Sequence, residues 1–334
     1  MSHGPILCVD DEPGNLGILR HILKDLYPLV FARNGVEALR AVKKHHPALI
    51  LLDVQMPDMN GYEVCRQLKR HPETENIPVI FVTNKSEVLD EKAGFDAGGV
   101  DYIVKPLYPL IVQARVNTQL SLVRASELER SYRAAIYMLG EAGHYNDTDT
   151  GVHIWRMAAY SKVLAVAVGW SVEQQNLMEL AAPMHDTGKI GIPDAVLKKP
   201  GGLDAAEWKI MQTHCQIGHD ILNKSDTPVF KLAAEIALNH HEKWAGGGYP
   251  NGLAGARIPE SARIVAIADV FDALAMKRPY KEAWPLDRIM GLLEAGSGQH
   301  FEPRMVECFK ANLPKILDIK ARLETQEYNP AIDR

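Results

Sequence analysis

Histidines and acids gather in the second half of the chain in a pattern suited to metal chemistry. His185 and Asp186 are adjacent in "MHDTGK", and His240 and His241 are adjacent in "HHEKWAGGGYP". Single candidates stand in "DTDTGVH" (Asp149 and His153), "MQTHCQIG" (His214) and "IADVFDAL" (Asp269). Imidazole and carboxylate together are a donor set for divalent metals. An adjacent His-Asp pair on one helix, with single ligands from other helices, can gather such ions inside a bundle. Asp186 can then bridge two of them about 3.5 to 4 Å apart, as in two-metal hydrolases. Neighbouring helical residues diverge by about 100°, so His240 and His241 meet one ion only near a helix end or around a cluster that wraps the helix. The glycines 246 to 248 just beyond supply an end. His45, His46, His71, His219 and His300 lack such company and read as ordinary core or surface residues.

A separate constellation lies in roughly the first 120 residues. Asp10 and Asp11 follow the apolar run "ILCV", Asp53 follows "ALILL", Thr83 follows "VIFV", and Lys105 with Pro106 follows "DYIV". Ligands of an open parallel sheet bind beyond the carboxyl ends of its strands, where all of these fall. Three carboxylates at one edge repel unless a cation lies between them, and hard oxygen donors favour Mg²⁺.

The elements that must hold these residues follow from the hydrophobic rhythm. Up to about residue 120, short apolar runs alternate with amphipathic segments such as "NLGILRHILKDL" and "YEVCRQLKRH". This predicts an α/β domain with a doubly wound parallel sheet. Beyond it the pattern is helical to the end, predicting an all-α domain. Ser171 with Gln174, and Asp204 with Glu207, have capping-box spacing. Between the halves, "LSLVRASELERSYRAAIYML" has apolar residues at mixed spacings of three and four. That suits a helix that joins domains or pairs with a second copy in a homodimer. The expected division is 1–122, a helical linker at 123–142, and 143–334.

A chain of 334 residues has room for two domains of ordinary size. A net charge of -5 without a long cluster of Lys and Arg argues against a nucleic-acid polymer as partner. Cys8, Cys65, Cys215 and Cys308 are scattered without CxxC spacing, as in a reducing compartment. The start, "MSHGPILCVDDE", carries acids where a signal peptide needs an apolar run, and no segment reaches about 18 apolar residues. A cytoplasmic protein without a membrane span is expected.

Residues 4 to 122, with their ordered "DD…D…T…K-P" pattern, resemble the receiver domain of bacterial response regulators. The resemblance implies that Asp53 accepts a phosphoryl group from a sensor histidine kinase. It also implies that Asp10, Asp11 and the backbone carbonyl of Gln55 hold Mg²⁺, that Thr83 and Lys105 contact the phosphoryl oxygens, and that Tyr102 is the switch aromatic. Asn84 replaces the small residue usual after the threonine, which bears on the dephosphorylation rate.

Residues about 130 to 310 resemble the HD-GYP branch of the HD phosphohydrolases, on "HDTGKIGIPDAVLKKPGGL", "HHEKWAGGGYPNGL" and "ARIVAIADVFDALAMKRPYK". That family implies a centre of iron or manganese ions and hydrolysis of cyclic di-GMP to linear pGpG and then GMP. Carried over residue by residue, His153, His185, Asp186 and Asp269 hold one ion, and Asp186, His214, His240 and His241 a second. Lys189 stabilises charge developing on the phosphate, Arg278 and Lys281 in "RPYK" contact the nucleotide, and Tyr249 shapes the pocket mouth. The expected reaction is attack of a metal-activated water on phosphorus, without a protein nucleophile.

Three departures qualify the match. Ala245 stands where the family usually has an acid. Pro183 lies two residues before His185 and is expected to kink the HD helix or mark its start. Asp149 stands where a glutamate can hold a third ion, and being one methylene shorter it favours two ions. Ala245 and Pro183 support an alternative, a catalytically weak sensor that binds cyclic di-GMP or a protein partner. A nucleoside phosphohydrolase is opposed by the GYP loop.

Overall fold

The computed structural model describes residues 4–84, 88–144, 151–276 and 282–325. They form two compact units, Met1–Glu129 and Arg130–Arg334.

The first unit is a five-stranded parallel sheet in the order β2-β1-β3-β4-β5, from β1 (Ile6–Val9), β2 (Leu29–Ala32), β3 (Leu49–Asp53), β4 (Val79–Thr83) and β5 (Asp101–Val104). The helices are α1 (Pro13–Leu23), α2 (Gly35–His45), α3 (Gly61–Lys69), α4 (Val88–Asp96) and α5 (Pro109–His144). β1, β3 and β4 are buried throughout, so their apolar runs carry no polar alternation. Successive residues still point to opposite faces. Leu7, Val9, Ile50, Leu52 and Phe81 join one core layer, whereas Ile6, Cys8, Leu49, Leu51, Ile80 and Val82 join the other. The strand order reverses between β1 and β3, which opens a crevice beyond the adjacent ends bearing Asp10 and Asp53.

The second unit is helical: α6 (Gly151–Ala167), α7 (Val172–Ala181), α8 (Asp194–Leu197), α9 (Ala205–Leu222), α10 (Pro228–Asn239), α11 (Glu260–Ala275), α12 (Leu286–Ala295), α13 (Pro303–Ala311) and α14 (Leu313–Thr325). Both expected capping boxes form, Ser171 with Gln174 at α7 and Asp204 with Glu207 at α9. The core runs through α6, α7, α10 and α11, with Tyr160, Met178, Ile236 and Phe271 fully buried.

The segment 123–142 lies inside α5, a continuous 36-residue helix, and the division of the units falls between Glu129 and Arg130 within it. Val112, Val116 and Leu120 belong to the first unit's core, and Ile136 and Tyr137 to the second's. No described helix is long and apolar enough to cross a membrane.

Candidate metal centre

The turn that carries the HD pair departs from expectation. His185 and Asp186 are not on an α-helix: α7 stops at Ala181, a 3-10 turn covers Ala182–Met184, and a second covers Thr187–Gly191. Pro183 has no N–H for the helical ladder and sits where the first 3-10 turn begins, so the helix ends rather than kinks. Asp186 has φ -100° and ψ 10°, outside the helical region. The second turn lies hard against α9. A Cβ on Gly188 would be 1.9 Å from the His214 carbonyl oxygen, so only glycine lets the HD turn come this close to α9.

His240 is the C-cap of α10, and His241 is the next residue. The helix thus ends at Asn239, before the glycine run, and the two rings, 4.0 Å apart between centroids, turn toward the same neighbours.

Two donor sets converge. Asp186, His214, His240 and His241 form one, and His153, His185 and Asp269 the other. Asp186 lies between them. Its Oδ1 is 3.3 Å from His214 Nε2 and 3.6 Å from His240 Nε2, while its Oδ2 is 3.3 Å from His185 Nε2 and 2.7 Å from Lys189 Nζ. The imidazoles are oriented from behind. Nδ1–H of His185 donates to the Ala182 carbonyl at 3.0 Å, that of His214 to Met211 at 2.7 Å, and that of His240 to Ala237 at 3.1 Å. A ring nitrogen that donates leaves the other as a lone pair, so each Nε2 is presented inward.

Burial pushes the His214 imidazole down to about 4 and holds His241 well below its usual value. Both rings are therefore neutral near pH 7, the form a metal needs. His153 goes the other way. Burial opposes its charge, yet hydrogen bonds to Asp269 and Asp272 raise it to about 10. The buried His240 Nε2 has no hydrogen-bond partner among the described residues. A nitrogen lone pair left without a donor beside a carboxylate is what a bound cation would satisfy, so this donor set fits divalent ions.

The GYP loop closes over the second set. Tyr249 lies 4.7 Å from the His241 ring at 30°, and Trp208, on α9 and 46 % exposed, meets Tyr249 edge-on at 6.0 Å. A Cβ on Gly248 would lie 2.5 Å from Glu242 Cα, so the loop backbone rests directly on the segment after the histidines. Asp149, Arg278 and Lys281 lie outside the described residues.

Three contributors were not singled out from the sequence. Glu242, 2 % exposed, accepts the backbone N–H groups of Asn251 and Leu253 at 2.8 and 2.9 Å. It braces the loop that follows Ala245. Asp272 and Arg156 are both buried; Arg156 donates to Asp272, which in turn bonds His153. An acid directly after the histidine pair, and a second acid three residues beyond Asp269, were the available signals.

In the first unit, Asp10, Asp11 and Asp53 bring three carboxylates together. Lys105 Nζ reaches Asp10 Oδ2 at 2.9 Å and Asp53 Oδ1 at 3.1 Å, and Thr83 is buried at the end of β4. Asp10 is fixed by the Glu12 backbone N–H and the Asn15 amide. Burial, with the charge of Asp10, lifts the Asp53 carboxyl to about 6 against the pull of Lys105. Gln55 is exposed, beyond the end of β3, and the Tyr102 ring lies 5.5 Å from the Arg115 guanidinium carbon. A Cβ on Gly61 would fall 2.3 Å from the Asp53 carbonyl oxygen, so the loop from β3 folds tightly back beside the acid.

A response-regulator receiver model matches residues 6–117, and an HD-domain model matches residues 122–305. A probable cyclic di-GMP phosphodiesterase of Vibrio cholerae is 37% identical, covering 98% of this chain and 82% of its own length. A cyclic di-GMP phosphodiesterase response regulator of Xanthomonas campestris is 36% identical over 98% of this chain and 92% of its own. A 3'3'-cGAMP-specific phosphodiesterase of Vibrio cholerae is 45% identical over 59% of this chain and 38% of its own. A parallel sheet with an acid cluster at its strand ends, a helical unit with two His/Asp donor sets, and these matches along nearly the whole chain have one reading: the protein belongs to the family of response regulators that join a receiver domain to an HD domain.

Proposed function

We propose that the protein is a metal-dependent phosphodiesterase that hydrolyses cyclic di-GMP to linear pGpG and then GMP, and that phosphorylation of Asp53 controls the rate. The observation that carries the first part is Asp186, with one carboxylate oxygen facing each donor set at 3.3 to 3.6 Å. His153, His185, Asp186 and Asp269 would hold one divalent ion, and Asp186, His214, His240 and His241 the other. Iron or manganese suits this mixed nitrogen and oxygen set. When bound, such a pair activates water and withdraws charge from the phosphoryl group.

The chain's own groups supply the rest. Lys189 Nζ, 2.7 Å from Asp186 Oδ2, can transfer a hydrogen bond to a phosphate oxygen as negative charge builds there. The Tyr249 ring, laid against His241, limits the open side of the second set, and Trp208 beside it offers an exposed face for a base. Arg278 and Lys281 are assigned to the nucleotide phosphates through the family resemblance. The names of the full-length relatives favour cyclic di-GMP. The 45% identity of 59% of this chain to a 3'3'-cGAMP-specific enzyme makes a mixed cyclic dinucleotide the second substrate to offer.

For control, a sensor histidine kinase is the expected phosphoryl donor, and the Asp10, Asp11 and Asp53 cluster would hold the Mg²⁺ that the transfer requires. α5 begins at Pro109, four residues after Lys105, and near its other end a Cβ on Gly143 would lie 2.8 Å from Thr187 Cα. A shift of this helix would therefore be felt at the turn bearing Asp186. Couplings of this kind are worth about 1 to 3 kcal/mol, a rate change on the order of 5- to 150-fold. The test is turnover of both cyclic dinucleotides with and without a beryllofluoride mimic, with Asp53→Ala as the unresponsive control. Products are resolved as cyclic, linear and mononucleotide. Binding without turnover by Mn²⁺- or Fe²⁺-loaded protein would favour a sensor instead, and equal rates with and without the mimic would remove the regulatory part alone.

A further inference from the structure

The buried network behind His153 has no part in the reading so far. α11 presents two carboxylates three residues apart, Asp269 and Asp272, to opposite nitrogens of one imidazole. His153 Nε2 is 3.5 Å from Asp269 Oδ1, and His153 Nδ1 is 2.6 Å from Asp272 Oδ2. Asp272 is in turn gripped by Arg156, which donates from Nε to Oδ1 and from Nη2 to Oδ2, both at 2.7 Å. Asp272 is 1 % exposed and Arg156 2 %. His153 and Arg156 are neighbours on one turn of α6, so two helices are tied at this point by one carboxylate.

As a stabilising device this arrangement has little to recommend it. Burying a carboxylate and a guanidinium costs about as much in lost hydration as their attraction returns, and well-packed apolar residues are often as stable. What the arrangement does supply is direction. A carboxylate can only accept, so Asp272 fixes the proton of the His153 ring on Nδ1 and turns Nε2 toward Asp269. The planar fork of Arg156 fixes the carboxylate in turn and balances its charge.

We infer that Asp272, clamped by Arg156, is a positioning residue that aims His153 Nε2 at the ion held with His185 and Asp269, and so sets the affinity of that ion alone. The inference rests on the two-ion reading above. Loss of a carboxylate behind a ligating histidine typically weakens metal binding by about 10- to 100-fold. In the second set His214 and His240 are oriented by backbone carbonyls instead, so that ion is indifferent to Asp272.

The experiment is equilibrium binding of Mn²⁺ to full-length, metal-stripped protein. It compares wild type with Asp272→Asn, Arg156→Lys and, as a reference for the site, His153→Ala, with the melting temperature of each metal-free protein recorded alongside. The expected result is two ions in the helical unit of wild type, counted apart from any ion held by Asp10, Asp11 and Asp53 in the receiver. Asp272→Asn should weaken by about 10- to 100-fold the same ion that His153→Ala loses, with the other unchanged. Arg156→Lys, which keeps the charge and loses the fork, should weaken that ion by a smaller factor. Both variants binding two ions as wild type does, or both weakening the two ions equally, would overturn the inference. If Asp272→Asn does not fold, the site selectivity of Arg156→Lys decides. A wild-type protein that binds no Mn²⁺ would overturn the metal-centre reading itself, an outcome distinct from two bound ions that ignore both substitutions.

Discussion

Gly188→Ala is the smallest change that tests how the HD turn is held. The new methyl carbon would begin 1.9 Å from the His214 carbonyl oxygen and 2.5 Å from the Gly218 backbone nitrogen, both in the body of α9. A tolerable contact needs at least 3.0 Å, so the turn and the helix must separate by about 1 Å or more. That separation falls on Asp186 and His214, whose 3.3 Å approach holds the second donor set together. Overpacking of this size costs about 1 to 3 kcal/mol, or about 2 to 4 °C in melting temperature per kcal/mol for a domain of this length. A misplacement of about 1 Å at a reacting centre can lower turnover on the order of 100-fold. Gly202→Ala is the control, since nothing lies within 4 Å of its Cβ position. The assay is bound metal per chain, melting temperature and turnover of cyclic di-GMP for both variants. Gly188→Ala that binds two ions and turns over near the wild-type rate would refute the reasoning.

Other outcomes follow from named contacts. Asp186→Ala should abolish hydrolysis and cost more than His153→Ala, because both carboxylate oxygens face donors, while the receiver still accepts phosphate from a small-molecule donor. Glu242→Ala strips the acceptor from two loop N–H groups, so the melting temperature should fall by the equivalent of about 1 to 3 kcal/mol and KM should rise, as thermal melts and steady-state kinetics would record. Trp208→Ala should raise KM for the dinucleotide by about 5- to 150-fold if the indole stacks a base, against little change for Trp208→Phe. Because the Asp53 carboxyl titrates at about 6, raised from 3.8, the folded receiver holds its proton more tightly than the unfolded chain. Its stabilising contribution without Mg²⁺ is therefore full below the lower value and lost as pH rises through about 6, and Mg²⁺ affinity should fall as pH drops through the same window. Mg²⁺ titrations at pH 5 to 8 would record the second effect.

The parts of the molecule most legible in the sequence are those written in local patterns. The runs "PILCV", "ALILL" and "VIFV" have the length and apolar continuity of strands buried on both faces, which places the acids and threonine after them at one sheet edge. The capping pairs at Ser171 and Asp204 are equally local and form as the spacing requires. The donor residues were legible because histidines beside acids are rare in ordinary cores. Their backbone setting was not. "AAPMHDTGK" continues a helical rhythm, and what breaks it into 3-10 turns is Pro183 together with the demand that Gly188 touch α9, a tertiary contact. Likewise "ADVFDAL" offers two acids three residues apart. Which one faces His153 Nε2 and which Nδ1 depends on the rotation of α11, set by Phe271 and Ala268 in the core. Glu242 reads as a solvated acid until the loop folds back and places the Asn251 and Leu253 N–H groups on it.

Asp186 is proposed to join the two metal sites at which a cyclic dinucleotide would be hydrolysed. The most direct measurement follows metal content and product formation together in one titration, adding Mn²⁺ or Fe²⁺ to metal-stripped protein with cyclic di-GMP present. Turnover that rises with the second ion bound, yields linear dinucleotide, and is absent in Asp186→Ala is the predicted result. Full occupancy by two ions with cyclic di-GMP left intact, or undiminished hydrolysis by Asp186→Ala, would contradict it.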